Sequence, residues 1–277
     1  MDPKAAVDVA ILGAVPLEVK ALTQLLKAFR MYPFRCQTLW LGEYANLSVV
    51  VATTGLGKVN AAITTASLLE HFSIARVWNV GCAGSYLGGP LGIGDVLVTD
   101  RFLCGDEGIM TQQGVLPVSA IGIPLLVRNG EELYDHLPPH WNGDVEAIIN
   151  QTPPGSYRHQ EGLPLSRAEP SATSSQGAEN VFTLAYGPSL TVSMASGDPG
   201  VASERFRHFG AYAENMEGSA VAQACFRFDT PAVECRGISN LAGVRAKETW
   251  QMEKSIAHCH GIVINWLEAL NALKLLK

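Results

Sequence analysis

The sequence predicts an α/β fold in three layers, α/β/α, with helices on both faces of a mixed, largely parallel sheet. Two observations carry that expectation: short apolar runs ending in glycine-bearing loops, and helical periodicity that starts directly after those loops. Val7 to Leu12 reads as a strand closed by Gly13, and Val19, Leu22, Leu25, Leu26 and Phe29 fall at helical spacing behind it. Leu47 to Ala52 is a second strand leading into Thr54-Gly55-Leu56-Gly57, after which Val59, Ala62, Ile63, Ala66 and Leu69 mark a helix. Arg76 to Val80 is a third strand, closed by a Gly81-Cys82-Ala83-Gly84 turn, and Asp95 to Thr99 a fourth, after Gly92 and Gly94. Val181 to Ala185, Leu190 to Met194 and Ala232 to Ile238 are further strands, and Ile256, Val263, Leu267, Leu270 and Leu273 mark a terminal helix. Gln151 to Gly177 is rich in Pro, Ser and Gly without periodicity, which predicts a long surface loop and a candidate lid.

Composition narrows the class. A chain of 277 residues is expected to form a single domain over 1–277. Apolar residues make up 47% and charged residues 17%, below the roughly 25% charged fraction of an average soluble protein, so much of the chain is buried in a core or in subunit contacts. A net charge of −6 with no Lys/Arg run lacks the electrostatic footprint of a nucleic-acid partner. No apolar stretch reaches about 18 residues, and Met1-Asp2-Pro3-Lys4 opens no signal-peptide core. A soluble cytoplasmic protein without a membrane partner is expected. Six cysteines without a CxxC pair make neither a disulfide framework nor a zinc site. His258-Cys259-His260 lies on a helical pattern, where adjacent side chains point in different directions. No metal and no cofactor is expected.

In sheets of this kind ligands sit beyond the carboxyl ends of strands. That directs attention to Gly13–Glu18, Gly55–Lys58, Gly81–Ser85, Ser196–Asp198 and Ser239-Asn240. Gly55-Leu56-Gly57-Lys58 is no phosphate loop, because G-x-x-x-x-G-K needs glycine at position 52, which is Ala52. The first strand is followed by Gly13-Ala14-Val15-Pro16 rather than G-x-G-x-x-G, which excludes a dinucleotide-binding dehydrogenase.

Five motifs in order, GAVPLEV, TTGLGKVNAA, NVGCAGS, the Asn215–Ala220 run NMEGSA and the Arg236–Asn240 run RGISN, resemble the nucleoside phosphorylase/nucleosidase superfamily, which includes the methylthioadenosine/S-adenosylhomocysteine nucleosidases. The resemblance covers about residues 7–110 and 180–270. It implies a nucleoside phosphorylase-like fold with a partly barrel-like sheet, a small-molecule nucleoside as partner, and a homo-oligomer. It also implies a substrate site drawn from Cys82, Ala83, Gly84, Asp198, Val201, Asn215, Met216 and Glu217, with Met216 against the ribose face and Glu217 accepting from the sugar hydroxyls.

The departures from the phosphorylase pattern point to the chemistry. At the three positions where those relatives hold phosphate, this chain has Glu18, Asn79 and Cys82. A carboxylate where a dianion would bind excludes phosphate and makes water the acceptor, with Glu18 placed to orient and deprotonate it. Cys82 is read as a small packing residue, because attack by water needs no thiol. Asn240 stands where adenine-specific relatives carry Asp, and its amide donors suit ring nitrogen 7 and a 6-oxo oxygen. Hydrolysis of a 6-oxopurine nucleoside resembles the futalosine hydrolase branch, which releases hypoxanthine from futalosine in menaquinone biosynthesis and leaves dehypoxanthine futalosine. The benzoate of such a substrate calls for a cation, for which Arg245, Lys247 and Arg101 are candidates. Pro199-Gly200-Val201 lacks the aromatic that commonly stacks on the base, leaving Phe102 or Tyr86 as candidates, and Asp198 is either a base contact or a helix cap. The alternatives are a purine nucleoside phosphorylase for inosine or guanosine and a catalytically silent nucleoside-binding protein.

Overall fold

A computed structural model describes residues 4–112, 114–160, 165–168 and 180–276. The principal elements are β1 (Val9–Gly13), α1 (Pro16–Gln24), β2 (Lys27–Phe34), β3 (Gln37–Tyr44), β4 (Leu47–Thr53), α2 (Lys58–His71), β5 (Val77–Ser85) and β6 (Val96–Cys104). They continue as α3 (Gly143–Ile149), β7 (Gly155–Arg158), β8 (Val181–Thr191), α4 (Pro199–Phe209), β9 (Ala213–Asn215), α5 (Gly218–Arg227), β10 (Ala232–Leu241) and α6 (Met252–Leu275).

Alternation along β1 explains the three layers. Val9 and Ile11 face one core with Val19 and Leu22 of α1, Ile148 of α3, and Trp266 and Leu267 of α6. Ala10 and Leu12 face the opposite core with Ala61 and Leu68 of α2 and Val221 and Cys225 of α5. At the centre of the first core, Trp78 meets Trp266 edge-on at 5.7 Å, and the Trp266 indole N–H donates to Thr152 Oγ1 at 2.8 Å.

The sheet is mixed and partly closed. β8 pairs parallel with β6, β6 antiparallel with β10, β10 parallel with β5, β5 antiparallel with β9, and β9 parallel with β8. These five strands therefore form a ring, the barrel-like part of the fold. From β5 the sheet extends through β1 and β4, both parallel, to the antiparallel hairpin β3–β2.

Four expectations are corrected. Phe29 is on β2 rather than on the first helix, which ends at Gln24; it is half exposed because β2 is an edge strand. Gly81 to Gly84 is not a turn but the second half of β5, hydrogen-bonded between β10 and β9. Val181 to Ala185 and the start of the Leu190 run are one continuous strand, β8, which carries Pro188 at a register shift. The predicted 151–177 loop includes β7, which adds antiparallel to β8, and Ser166–Arg167 pairing with it. Within that loop, 161–164 and 169–177 lie outside the described residues.

Candidate active site

The site forms where β5, β10 and β9 reach the open side of the ring, with the first turns of α1 and α5 closing on them. Glu18 is held at the start of α1, almost fully buried. Its Oε2 accepts from Ala14 N at 2.7 Å and Val15 N at 3.3 Å, and its Oε1 from Cys82 N at 2.9 Å. Those bonds require close approach of the helix start to β5. A Cβ on Gly81 would collide with Glu18 Oε1 and lie 2.7 Å from Arg236 Nη1. Gly81 is thus glycine because a carboxylate and a guanidinium crowd the same spot. The Cys82 thiol, 3.4 Å from Glu18 Oε1, is pushed up to about 12 by burial and by that carboxylate, which leaves it a neutral group and no nucleophile.

Glu217 sits just before α5. Its Oε1 accepts from Gly57 N at 2.9 Å, and its Oε2 lies 3.6 Å from Arg236 Nη2. This anchor accounts for the Gly55–Lys58 loop: it bends so that the Gly57 amide, at φ +91°, can reach the site. Burial raises the Glu217 pKa, and the Arg236 charge opposes the rise.

Arg236 and Glu234 on β10 have no site role in the sequence expectations, although Arg236 opens the RGISN motif. Both are fully buried and joined at 3.0 Å. Glu234 also accepts from Asn79 Nδ2 at 2.8 Å, Thr99 Oγ1 at 2.8 Å and Asn215 Nδ2 at 3.2 Å. Burial disfavours the Arg236 cation, but Glu234, Glu217 and Glu18 together outweigh it and raise its pKa. Among the described residues its Nε and Nη1 have no hydrogen-bond partner, so a donor is left next to Glu18 and Glu217. One signal in the sequence could have found the pair: opposite charges two residues apart, hence on one face, inside an otherwise apolar strand.

Beside this charged floor lies a cavity of about 90 Å³ lined by Gly84, Ser196, Glu214, Asn215, Met216, Asn240, Arg245 and Trp250, among others. The structure thus brings Gly84, Asn215, Met216, Asn240 and Arg245 together around one cavity. Asn240, which lines the cavity, accepts at Oδ1 from Ser239 Oγ at 2.8 Å and donates one Nδ2 hydrogen to Leu241 O at 3.0 Å. Arg245 stacks over the Trp250 ring at 5.0 Å at the mouth.

Other candidates are placed elsewhere. The Asn215 side chain is spent on structure, accepting from Glu217 N and Gly218 N and donating to Ser189 Oγ and Glu234, so it positions Glu217. Asp198 caps α4 through Gly200 N and Val201 N, and Val201 faces a separate surface groove with Met110 and Met194. The Ala83 methyl packs with Leu97, Ala213 and Ile238. Phe102 is buried with Leu126, Leu137 and Phe226, away from the cavity, and Tyr86 stacks on Phe206 while its hydroxyl donates to Glu214 at 2.9 Å. Neither aromatic lines the cavity. Arg101 and Lys247 are exposed and do not line it either. His258 Nδ1 donates to Gly94 O and His260 Nε2 to Glu18 O, on different sides of α6.

A closed ring of strands carries buried carboxylates around one guanidinium, beside a small cavity. The chain belongs to the Phosphorylase superfamily, whose family model matches residues 8–267. Within it the chain is a glycosidase of the nucleosidase kind, an enzyme for the N-ribosidic bond. It is 30% identical over 244 residues to a 5′-methylthioadenosine/S-adenosylhomocysteine nucleosidase of Mycobacterium bovis, covering 86% of this chain and 87% of that one. It is 29% identical over 210 residues to a futalosine hydrolase of Thermus thermophilus, covering 75% and 76%. Among solved structures, a nucleosidase of the first kind from Colwellia psychrerythraea, in complex with adenine, matches with a TM-score of 0.73 at 23% identity, over 97% of both chains. Futalosine hydrolase of Helicobacter pylori matches with 0.70 at 22%, over 95% of this chain and 98% of that one; at such identities these two show the fold.

Proposed function

We propose that the protein hydrolyses the N-ribosidic bond of a 6-oxopurine nucleoside, with futalosine as substrate and hypoxanthine as the released base. Asn240 carries the base assignment. With Oδ1 held by Ser239 and one Nδ2 hydrogen on Leu241 O, the amide has one N–H left to donate, which suits an acceptor of the 6-oxopurine edge, N7 or O6. Arg245, held over Trp250 at the mouth, supplies a cation for the carboxylate that futalosine carries beyond its 5′ carbon.

In this reading Glu18 takes a proton from water, which the free Nη1 of Arg236 helps to hold. The water oxygen bonds to C1′ as the bond to N9 breaks. Glu217 accepts from a ribose hydroxyl and stabilises the positive charge growing on the sugar. The electron pair leaves with the base, whose developing negative charge the Asn240 N–H stabilises; the base anion then takes a proton from solvent, and Glu18 returns the proton it took from water to solvent. Phosphate is disfavoured although Arg236 is present, because three carboxylates already surround that guanidinium.

A second reading, hydrolysis of 5′-methylthioadenosine or S-adenosylhomocysteine, is favoured by the identity to nucleosidases of that name. One experiment separates the two: base release from futalosine and from 5′-methylthioadenosine, by the wild type and by Asn240→Asp. The proposal predicts that the wild type acts on futalosine, and that the variant shifts kcat/KM toward the 6-amino substrate by about 10- to 100-fold, the scale of one hydrogen bond to a charged group. Wild-type preference for 5′-methylthioadenosine would establish the second reading instead.

A further inference from the structure

Glu214 is a buried acid that the steps above do not use. It belongs to β9, opposite Gly84, and Asn240 of β10 is the neighbour of Gly84 on its other side. A register shift in β10 falls between Ile238 and Asn240, so it is the shared cavity, not strand alternation, that brings Glu214 and Asn240 together across two strand spacings, about 10 Å. Gly84, with no side chain, is the floor between them; a Cβ there would sit 3.1 Å from Asn240 Nδ2. Both side chains line the cavity.

The carboxylate is clamped. Its Oε2 accepts from Tyr86 Oη at 2.9 Å, Ser196 Oγ at 2.7 Å and Arg205 Nη1 at 3.2 Å, and its Oε1 accepts from Ser196 N at 2.7 Å. Oε2 is saturated, whereas Oε1 carries one bond and keeps a lone pair. Four donors, from Tyr86 just after β5, from Arg205 on α4 and two from Ser196, therefore hold an acid that is 6% exposed beside the cavity.

We infer that Glu214 is the specificity-determining acceptor for the purine N1–H. This rests on the 6-oxopurine reading and deepens it. A 6-oxopurine presents three groups along one edge: N7 and O6, which accept, and N1–H, which donates. Asn240 provides the donor and Glu214 the acceptor. Adenine has a lone pair at N1 and would meet carboxylate lone pairs instead, so the same acid that binds hypoxanthine repels adenine.

The test is calorimetric binding of hypoxanthine, 1-methylhypoxanthine and adenine to the full-length wild type, Glu214→Gln and Glu214→Val. The expected result is that the wild type binds hypoxanthine about 10- to 100-fold tighter than the 1-methyl base, which has no N1–H, and tighter than adenine. In Glu214→Val both ratios collapse toward unity, with Glu214→Gln between. If the wild type prefers adenine, the 6-oxopurine reading fails and this inference with it. If hypoxanthine is preferred to adenine but methylation at N1 costs nothing, or Glu214→Val keeps both ratios, the reading stands and the role of Glu214 is overturned. Should the Val variant not fold by circular dichroism, the wild-type comparison of the two hypoxanthines still decides.

Discussion

Glu18 accepts three backbone amides from two elements, which is more than a helix-start glutamate needs. As the proposed acceptor of the attacking water's proton, Glu18 is tested by Glu18→Gln, which keeps the shape and loses the base. Turnover should fall by about 10²- to 10⁴-fold, the range of general base catalysis, while affinity for a non-reacting nucleoside analogue stays within a few-fold. Single-turnover kinetics beside equilibrium binding check this, and an unchanged rate would remove Glu18 from the mechanism. At this scale the sequence was legible wherever a motif carried the residue, as for Glu18, Met216, Glu217 and Asn240. Glu234 and Glu214 lie outside any motif, and Arg236, although it opens the RGISN motif, received no role, because each is a charge inside a short apolar strand. What makes such a charge tolerable is its partners across the sheet, and strand periodicity contains no information about those.

β5 and α6 show what elements add. The Gly81-Cys82-Ala83-Gly84 run has the composition of a turn, yet it is a strand segment between β9 and β10, where small residues let Glu18, Arg236 and Asn240 approach the backbone. Gly81→Ala should therefore lose most activity and lower the denaturation midpoint together, because its methyl collides with Glu18; an active, equally stable variant would contradict the packing described. On α6, His258 and His260 are buried, and burial lowers both pKa values against the opposing hydrogen bonds to Gly94 and Glu18 carbonyls. Native imidazoles are then neutral where unfolded ones, with the ordinary value of 6.5, take up protons. Stability from these groups is complete above pH 6.5 and is lost as pH falls below it, by at most about 1.4 kcal/mol per pH unit for each histidine. Urea midpoints at a series of pH values should show that decline, and His260→Gln should flatten it; an identical acid slope in the variant would show that His260 does not contribute.

At the scale of the whole molecule, the three layers were legible because each buried strand is an apolar run and each following helix keeps its spacing. Closure of the ring was implied only by the family resemblance. It depends on β9, three residues that pair with both β5 and β8, a length too short to leave a pattern. The β2–β3 hairpin escaped for the opposite reason: β2 is exposed along nearly its whole length, so no alternation marks it. The fold places three carboxylates round one buried guanidinium at the mouth of the ring, and that arrangement favours water over phosphate as the acceptor.

The most direct test of that claim is base release from futalosine and from inosine, side by side, in phosphate-free buffer and then with added phosphate. The account predicts release of hypoxanthine from futalosine at a rate indifferent to phosphate, with free ribosyl product. Release that requires phosphate and yields a ribose 1-phosphate would contradict it and make the protein a phosphorylase.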